Sequence, residues 1–268
     1  MLAAQRRSEI LSALADRGTV KVSDLVRLLG VSDMTIRRDL IALDREGLLE
    51  KVHGGAIAVV EPSTAEPGFE VKSARQRSEK AAIARRAAEL VRPGSAIAVS
   101  AGTTTHAFAR HLVEVPNLTV VTNSVWVADV LYQEAPDSVS VLLTGGLRTP
   151  SDALVGPLAI AAMSGLHLDA FFMGVHGMDA EAGFSTPNLL EAETNRAMIR
   201  SARRLVVLAD STKWGVIGLS SMADLSAASV VITDPGLPRP ARALLEERDV
   251  ELVLAGEAEP APGDAETG

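Results

Sequence analysis

Short apolar segments alternate with segments of helical periodicity over the last two thirds of the chain, and this alternation limits the possible folds more than any other feature. Predicted strands occupy residues 96–99, 118–122, 139–143, 170–175, 205–209, 230–233 and 250–254. Predicted helices occupy residues 79–91, 104–113, 124–134, 190–203 and 240–247. Strands that alternate with helices favour a mostly parallel sheet covered on both faces. We therefore expect a Rossmann-like α/β domain as the larger part of the fold.

The composition of the chain agrees with such a sheet. Its 268 residues are 47% hydrophobic and only 3% aromatic, so the core must consist mainly of Val, Leu, Ile and Ala. There is no cysteine, which excludes disulfides, thiol nucleophiles and Cys-bound zinc. None of the five histidines is four residues from another, so we expect no metal site, and we expect no other cofactor.

The first 57 residues follow a different pattern, which we interpret as three helices followed by a β-hairpin. Gly18 is expected to end the first helix, and Ser23 is the expected N-cap of the second. Ser32 is the expected N-cap of a third helix over residues 32–46. Apolar residues spaced by four and three positions give this third helix one buried face, formed by Ile36, Leu40 and Leu43.

Two helices joined by a tight turn, the second exposed on one side, meet the requirement for a helix-turn-helix that binds double-stranded DNA. The hairpin, with Leu48–Val52 and Ala56–Val60 flanking His53-Gly54-Gly55, would be its wing. Arginine can bond guanine through two donors, and hydroxyl groups can bond phosphate. The candidate DNA-contacting residues are Ser32, Met34, Thr35, Arg37, Arg38, Lys51 and His53. Two arginines alone are more often a solvated surface pair, so this prediction depends on the whole pattern.

The net charge of −8 argues against a protein that binds nucleic acid without selection. The charge is unevenly distributed. Residues 1–57 contain nine Lys and Arg against eight Asp and Glu, whereas the rest contains 17 basic and 26 acidic residues. An acidic body discourages indiscriminate binding, but it leaves a small basic face free to bind DNA specifically.

Small polar residues follow several of the predicted strands. Ligands of open α/β sheets lie beyond the carboxyl ends of the strands, and free backbone N–H groups at a helix start can bind an anion. The candidate effector residues are Ser100, Gly102, Thr103, Thr104, Thr105, Thr122, Asn123, Ser124, Gly145, Gly146, Asp210 and Lys213. Together they predict a pocket for a small anion with hydroxyl groups, such as a sugar phosphate. Taken alone, Gly102-Thr103-Thr104 is more often a turn and a helix cap, and Asp210 with Lys213 is more often a surface ion pair.

Two sets of segments resemble the DeoR family of bacterial regulators. In the first 57 residues the matching segments are VSDMTIRRDL at 31–40 and HGGA at 53–56. In the rest they include EKAAIA at 79–84, GTT at 102–104, TNS at 122–124, TGG at 144–146 and ADSTK at 209–213. The resemblance implies a winged helix with 32–46 as recognition helix, and a sensor domain similar to ribose-5-phosphate isomerase. Members commonly bind phosphorylated sugars or related metabolites, and most are repressors released by that ligand.

Two residues within these segments need separate comment. The family often has Asp where this chain has Ser100, and serine would bond a sugar hydroxyl more weakly than a carboxylate would. Asp39, on the recognition helix, is expected to pair locally and orient an arginine rather than contact DNA.

We therefore expect a regulator with a DNA-binding domain at 1–57, a linker at 58–72, a sensor domain at 73–256 and a disordered acidic tail at 257–268. The absence of a long apolar run predicts a cytoplasmic protein without a membrane partner. Two recognition helices would occupy successive major grooves, so we also expect a homodimer or a higher oligomer.

Two other functions are compatible with the same residues. One is a sugar-phosphate isomerase or hydrolase, with Asp179, Glu191 and Asp210 as candidate carboxylates. We expect no catalytic residue, because Ser100 removes one carboxylate and an enzyme has no need of a DNA-binding unit. The other is a regulator whose sensor binds an unphosphorylated ligand or a protein.

Overall fold

The computed structural model describes residues 6–7, 9–11, 13–14, 18–45, 48–57, 64, 68–135 and 138–256. The predicted tail at 257–268 lies outside these residues. The chain divides into two compact units, residues 1–62 and 63–268. Within the described part of the chain, no helix is long and apolar enough to cross a membrane.

The N-terminal unit is a winged helix-turn-helix, as predicted. Residues 6–7, 9–11 and 13–14 are helical, and the elements that follow are β1 (Thr19–Lys21), α1 (Val22–Leu29), α2 (Asp33–Arg45), β2 (Glu50–Val52) and β3 (Gly55–Ile57). The strands form an antiparallel sheet with β3 between β1 and β2. Ile36, Leu40 and Leu43 of α2 pack with Ile10 and Leu25 in a buried core.

One predicted cap is confirmed and one is wrong. The Ser32 hydroxyl oxygen accepts a hydrogen bond from the Thr35 backbone N–H at 3.3 Å, as expected of an N-cap. Ser23 instead lies inside the first turn of α1, which begins at Val22 directly after β1. The Val22 N–H donates to the Gly54 carbonyl at 2.9 Å, so the turn of the wing satisfies a helix-start donor that we had assigned to a serine.

The turn of the wing is shorter than predicted. Val52 pairs with Gly55, so His53 and Gly54 alone form the turn, and Gly54 has a φ of +81°. Gly55 belongs to β3, opposite Lys21 of β1. A Cβ atom on Gly55 would lie 2.1 Å from the Val20 carbonyl oxygen. This glycine is therefore required by the close approach of β1, a strand that the sequence analysis did not predict.

The second unit contains the predicted parallel sheet. Its helices are α3 (Phe69–Ala74), α4 (Arg77–Ala88), α5 (Thr103–Leu112), α6 (Val125–Glu134), α7 (Pro157–Ala162), α8 (Leu189–Arg200) and α9 (Arg239–Glu247). Its strands are β4 (Ala96–Val99), β5 (Leu118–Thr122), β6 (Val139–Leu143), β7 (Leu147–Arg148), β8 (Leu154–Val155), β9 (Ala170–Gly174), β10 (Gly177–Asp179), β11 (Gly183–Thr186), β12 (Leu205–Leu208), β13 (Ser220–Ala223), β14 (Val230–Thr233) and β15 (Glu251–Leu254). Short 3₁₀ helices cover Ser211–Lys213 and Leu225–Ala227.

Seven of these strands form one parallel sheet in the order β15-β14-β12-β9-β4-β5-β6. Alternate residues of each strand face opposite sides. Phe171 and Val207 belong to a core cluster on one face, whereas Phe172 and Val206 belong to the cluster on the other. Both faces are therefore buried, which explains why the strands are apolar throughout rather than alternating.

Several features of this unit were not predicted, among them helix α7 and the two short 3₁₀ helices. Strands β10, β11 and β13 form a small antiparallel sheet, and β7 pairs with β8. These strands have only two to four residues, too few for a periodic pattern. Residues 69–72, which the sequence analysis placed in the linker, belong to helix α3.

Replacing Gly55 by Ala tests the close approach of β1. We expect a loss of about 1–3 kcal/mol in the N-terminal unit, because the new methyl group displaces the backbone of β1. Amide hydrogen exchange of residues 18–57 in the full chain would measure it. Glu50→Ala is the control: this exposed residue of the same hairpin should change stability by less than about 0.5 kcal/mol. Equal protection in the two variants would contradict the predicted clash.

Candidate DNA-binding surface and effector site

The outward face of α2, the recognition helix, carries the predicted DNA-contacting residues. Met34 is 63% exposed, and Arg37 and Arg38 are also exposed. The hydroxyl groups of Ser32 and Thr35 lie 2.9 Å apart at the start of the helix. The buried residues Ile36, Leu40 and Leu43 fix the opposite face, so the helix presents one constant side to solvent.

The two arginines have different environments. The Arg37 guanidinium donates to the Asp33 carboxylate one turn earlier, at 2.5 Å and 3.3 Å. Arg38 forms no hydrogen bond or ion pair with any described residue. Arg37 is therefore partly neutralised and tethered along the helix, whereas Arg38 is available to an external acceptor.

Asp39 is buried and binds arginines of the first helix. Arg6 donates to one carboxylate oxygen of Asp39 at 2.5 Å, and Arg7 donates to the other at 3.4 Å. The expectation that Asp39 pairs locally was wrong, because these partners lie more than 30 residues earlier in the chain. The carboxylate fixes the first helix against the recognition helix and does not face DNA.

The wing residues lie on the surface. Lys51 and His53 are both exposed, the second in the turn between β2 and β3. The Lys51 backbone N–H donates to the Asp44 carboxylate at 2.9 Å, which ties the wing to the end of the recognition helix.

The order of the seven strands defines where a ligand of the second unit should bind. From β4 the chain continues outward through β5 and β6, and it then returns to the other side of β4 and continues through β9, β12 and β14. The strands remain parallel, but their order along the sheet reverses between β4 and β9. In open α/β sheets the ligand crevice lies at the carboxyl ends of the strands at such a reversal.

The loop after β4 leads directly into α5. Gly102 precedes the helix with a φ of +154°, and a Cβ there would lie 3.1 Å from the Thr105 hydroxyl. The Thr105 hydroxyl donates to the Gly102 carbonyl at 3.0 Å. Thr104 and Thr105 are buried, whereas Thr103 is only half-buried. The first N–H groups of α5 have no partner within the helix, and the helix begins at the carboxyl end of β4.

Ser100 joins the ends of β4 and β9, the two strands between which the strand order reverses. Its hydroxyl oxygen accepts from the Gly174 N–H at 2.9 Å, and its hydroxyl group donates to the Ala101 carbonyl at 3.3 Å. The side chain is 1% exposed. These bonds join the ends of β4 and β9, so the hydroxyl that we expected to bond a ligand weakly is engaged within the protein.

Thr122, Asn123 and Ser124 are likewise buried and bonded to backbone. Thr122 donates to the Val99 carbonyl at 2.7 Å, and Asn123 accepts from the Ala101 N–H at 2.9 Å. Ser124 is the N-cap of α6. These side chains hold the loops after β4 and β5 in place through bonds to the backbone.

The two glycines after β6 are required by the backbone of the protein rather than by a ligand. Gly145 and Gly146 have φ values of +70° and +120°. A Cβ on Gly146 would lie 2.5 Å from the Val155 carbonyl oxygen. The close approach that Gly146 permits is therefore to β8.

Asp210 and Lys213 follow β12, on the far side of β9 from the threonines. Asp210 is buried and accepts a hydrogen bond from the Thr212 hydroxyl. Lys213 is partly exposed, and its ammonium group bonds no described residue. This cation and the start of α5 are the features of the carboxyl edge best suited to an anion.

The carboxylates considered for catalysis are engaged separately. Backbone N–H groups of Ala182 and Glu181 donate to Asp179 and lower its pKa. Glu191 accepts from Thr149 and from Thr186, both at 2.9 Å. Among the described residues, no group of three or more His, Asp or Glu is arranged to hold a metal ion.

Sequence reasoning missed Lys80 as a site residue. It lies on the buried face of α4 with Ile83, Ala84 and Ala87, and it is only 6% exposed. Its ammonium group donates to the Lys72 carbonyl at 2.6 Å and to the Arg75 carbonyl at 2.8 Å. Burial lowers the pKa of Lys80 to about 8, opposed by the charge of Asp210 and assisted by that of Lys213. The signal in the sequence was a lysine at an apolar position of the helix.

A winged helix-turn-helix followed by a parallel α/β unit with a reversal of its strand order has the two parts expected of a ligand-responsive transcriptional regulator. Residues 6–61 match the DeoR-like helix-turn-helix domain, and residues 75–235 match the DeoR C terminal sensor domain. The chain belongs to the DeoR family. It is a DNA-binding transcriptional regulator with a small-molecule sensor domain, and not an enzyme.

Its relatives carry similar names. A candidate aga operon transcriptional repressor of Escherichia coli O157:H7 is 36% identical over 94% of both chains. The transcriptional regulator GlpR of Haloferax volcanii is also 36% identical, over 94% of this chain and 98% of its own. A solved structure, ribose 5-phosphate isomerase A of Methanocaldococcus jannaschii, is 17% identical with a TM-score of 0.38, covering 52% of this chain and 54% of its own. That likeness carries no statement about ligand or activity.

The lowered pKa of Lys80 predicts a pH dependence of stability. The unfolded chain, with an ordinary lysine pKa of 10.5, binds more protons than the folded chain above about pH 8. The contribution of Lys80 to the free energy of unfolding should therefore rise with pH between about 8 and 10.5. Urea unfolding of wild type and Lys80→Met across this range measures it as a difference. Parallel pH profiles of the two proteins would show that Lys80 titrates normally.

Proposed function

We propose that the protein represses a carbohydrate catabolic operon in the cytoplasm and is released from its operator by a phosphorylated sugar or a related metabolite. The observation that carries the proposal is the pairing of an anion-binding helix start with a free lysine at the sheet reversal, in a chain that also has a recognition helix. Repression of a carbohydrate operon is supported by the name of the aga operon relative.

The DNA-contacting residues of the proposal are Ser32, Met34, Thr35, Arg37, Arg38, Lys51 and His53. Arg38 is the residue best suited to a base edge, because it is exposed and bonds no described residue. Arg37 is better suited to a phosphate group, since Asp33 already occupies part of its guanidinium. Lys51 and His53 would contact the DNA backbone or the minor groove from the wing.

The effector residues of the proposal divide into two sets. The start of α5, from Gly102 to Thr105, would supply backbone N–H groups to the phosphate, and Lys213 would supply a positive charge. Ser100, Thr122, Asn123, Ser124, Gly145, Gly146 and Asp210 would hold these groups in place. This division is supported by burial, because Ser100, Asn123 and Ser124 are each 1% exposed.

We further propose that residues 1–57 bind DNA, residues 58–72 link the two domains, residues 73–256 sense the effector and residues 257–268 form a tail. A homodimer or a higher oligomer would bind a repeated or palindromic operator, since each recognition helix reads one half-site. The effector would have to prefer the arrangement that does not bind the operator.

Replacing Arg38 by Ala tests the DNA interface. We expect specific operator affinity to fall by about 1–3 kcal/mol, which is roughly 5- to 150-fold, if Arg38 contacts a base. Fluorescence anisotropy with operator and scrambled duplexes measures both affinity and specificity. The matched control is Arg45→Ala, which removes the same charge at the other end of the helix and should retain specificity. Loss of affinity for both duplexes by the same factor would limit Arg38 to a backbone contact.

Thermal unfolding against a panel of sugar phosphates and polyol phosphates, each with its unphosphorylated parent, tests the effector class. An effector at a hundred times its Kd adds about 2.7 kcal/mol, a shift on the order of 5–10 °C for this domain. Lys213→Ala should abolish the shift, whereas Arg200→Ala, an exposed arginine at the opposite edge of the sheet, should keep it. A shift produced equally by the parent compound would replace the phosphate model with an unphosphorylated ligand.

A further inference from the structure

Lys80 is a buried cation whose bonds are incomplete. Its ammonium group has three donors, and two of them are used by the Lys72 and Arg75 carbonyls. No carboxylate among the described residues forms an ion pair with it. Buried charges in proteins are normally paired, because an unpaired charge in a medium of low polarity is costly. The third donor and the unpaired charge therefore call for an anion.

The surroundings of Lys80 indicate where that anion would come from. Helix α4, which carries Lys80, packs against β12 and β14. The charge of Asp210 favours the charged form of the ammonium group, and the charges of Lys213, Lys72 and Arg75 oppose it. Asp210 and Lys213 both lie directly after β12. Lys80 thus belongs to the same carboxyl edge as the proposed effector residues, although it precedes all of them in the sequence.

The two carbonyls that Lys80 holds belong to a particular element. Lys72 lies in α3, the short helix Phe69–Ala74, and Arg75 follows it directly. At its other end, Phe69 stacks on Trp126 with ring centroids 5.2 Å apart, and meets the edge of His106 at 5.4 Å. The side chain of Lys72 makes a third contact, because its ammonium group donates to the Ser151 hydroxyl at 2.7 Å.

These contacts place α3 over the carboxyl edge of the sheet. His106 lies in the first turn of the helix after β4, Trp126 in the first turn of the helix after β5, and Ser151 between β7 and β8. The same short helix is the first described element of the second unit after residue 64, at the end of the chain that comes from the wing. It is therefore the described helix of the second unit that lies nearest in the sequence to the first unit.

We propose that Lys80 is a further effector-binding residue, and that it couples the effector to the DNA-binding domain by fixing α3. An oxygen of the effector phosphate accepts the third N–H of Lys80 and neutralises its charge. The anion offsets the desolvation of the ammonium group, so the charged form that donates to the two α3 carbonyls is stabilised. Effector binding orders the junction of linker and sensor, which changes the arrangements open to the DNA-binding domain.

This inference rests on the proposed effector site, so its test must separate the two. The probe is inorganic phosphate, compared with chloride at equal ionic strength, on the full chain. Calorimetry gives phosphate affinity, and hydrogen exchange of the Lys72 and Arg75 amides, which donate to Gly68 and Lys72 carbonyls, gives the order of α3. The variants are Lys80→Met, Lys80→Arg, Lys213→Ala and Arg85→Met.

In the wild type, phosphate should slow exchange of the two amides. Lys80→Met should lose about tenfold or more in phosphate affinity, the factor expected for one charge-assisted hydrogen bond, and its α3 amides should not respond to phosphate. Lys80→Arg should restore part of both effects. Arg85→Met, which removes a positive charge from the exposed face of α4, should keep the phosphate affinity and the response of the α3 amides.

Two outcomes would overturn the inference in different ways. If Lys213→Ala loses phosphate and Lys80→Met does not, the proposed effector site stands and the role of Lys80 is refuted. If Lys80→Met loses phosphate but the α3 amides of the wild type do not respond to it, the coupling is refuted. If phosphate binds neither the wild type nor any variant, the anion site falls, and this inference falls with it.

Discussion

The parallel direction of the seven strands is the constraint on which the second unit depends. Parallel strands need crossover helices, which cover both faces of the sheet, so the inner strands are buried on two sides and every strand-to-helix loop emerges at the same edge. Polar residues have no place within such a sheet and accumulate where the strands end. The strand order reverses between β4 and β9, and ligands of open α/β sheets bind at such a reversal. The Ser100 bond to Gly174 joins the ends of these two strands.

Much of this arrangement could be predicted from the sequence, because the elements that matter are long and regular. The seven strands and the helices between them have strong apolar patterns, and their observed bounds differ from the prediction by only a few residues. What could not be predicted depends on contacts between distant segments. Strand β1 exists because β3 pairs with it, and the need for glycine at Gly55 follows from that pairing. Single-segment patterns contain no information on either.

The site residues show the same limit more clearly. Sequence spacing brought Thr122, Asn123 and Ser124 to the correct edge, but it could not show that their polar atoms face backbone. It also treated Arg37 and Arg38 as equivalent, although an aspartate four residues earlier occupies only one of them. Lys80 was not considered as a site residue, because a single lysine among the apolar residues of a helix face does not by itself indicate a ligand. The bonds of its ammonium group are to α3 and to the residue that follows it, and the six residues of α3 lie in a segment without periodicity.

Asp39 has a further consequence for how such a regulator can change during evolution. The carboxylate is held by Arg6 and Arg7, so the inner side of the recognition helix is committed to the architecture of its own domain. The residues of the outer side, Met34, Thr35 and Arg38, form no comparable ion pair with a described residue of another helix. If these residues contact bases as proposed, substitutions there would alter operator preference without disturbing the buried core of the domain. Duplicated copies of the gene can thus acquire new target sequences while keeping the same scaffold and, through the second domain, the same metabolic input.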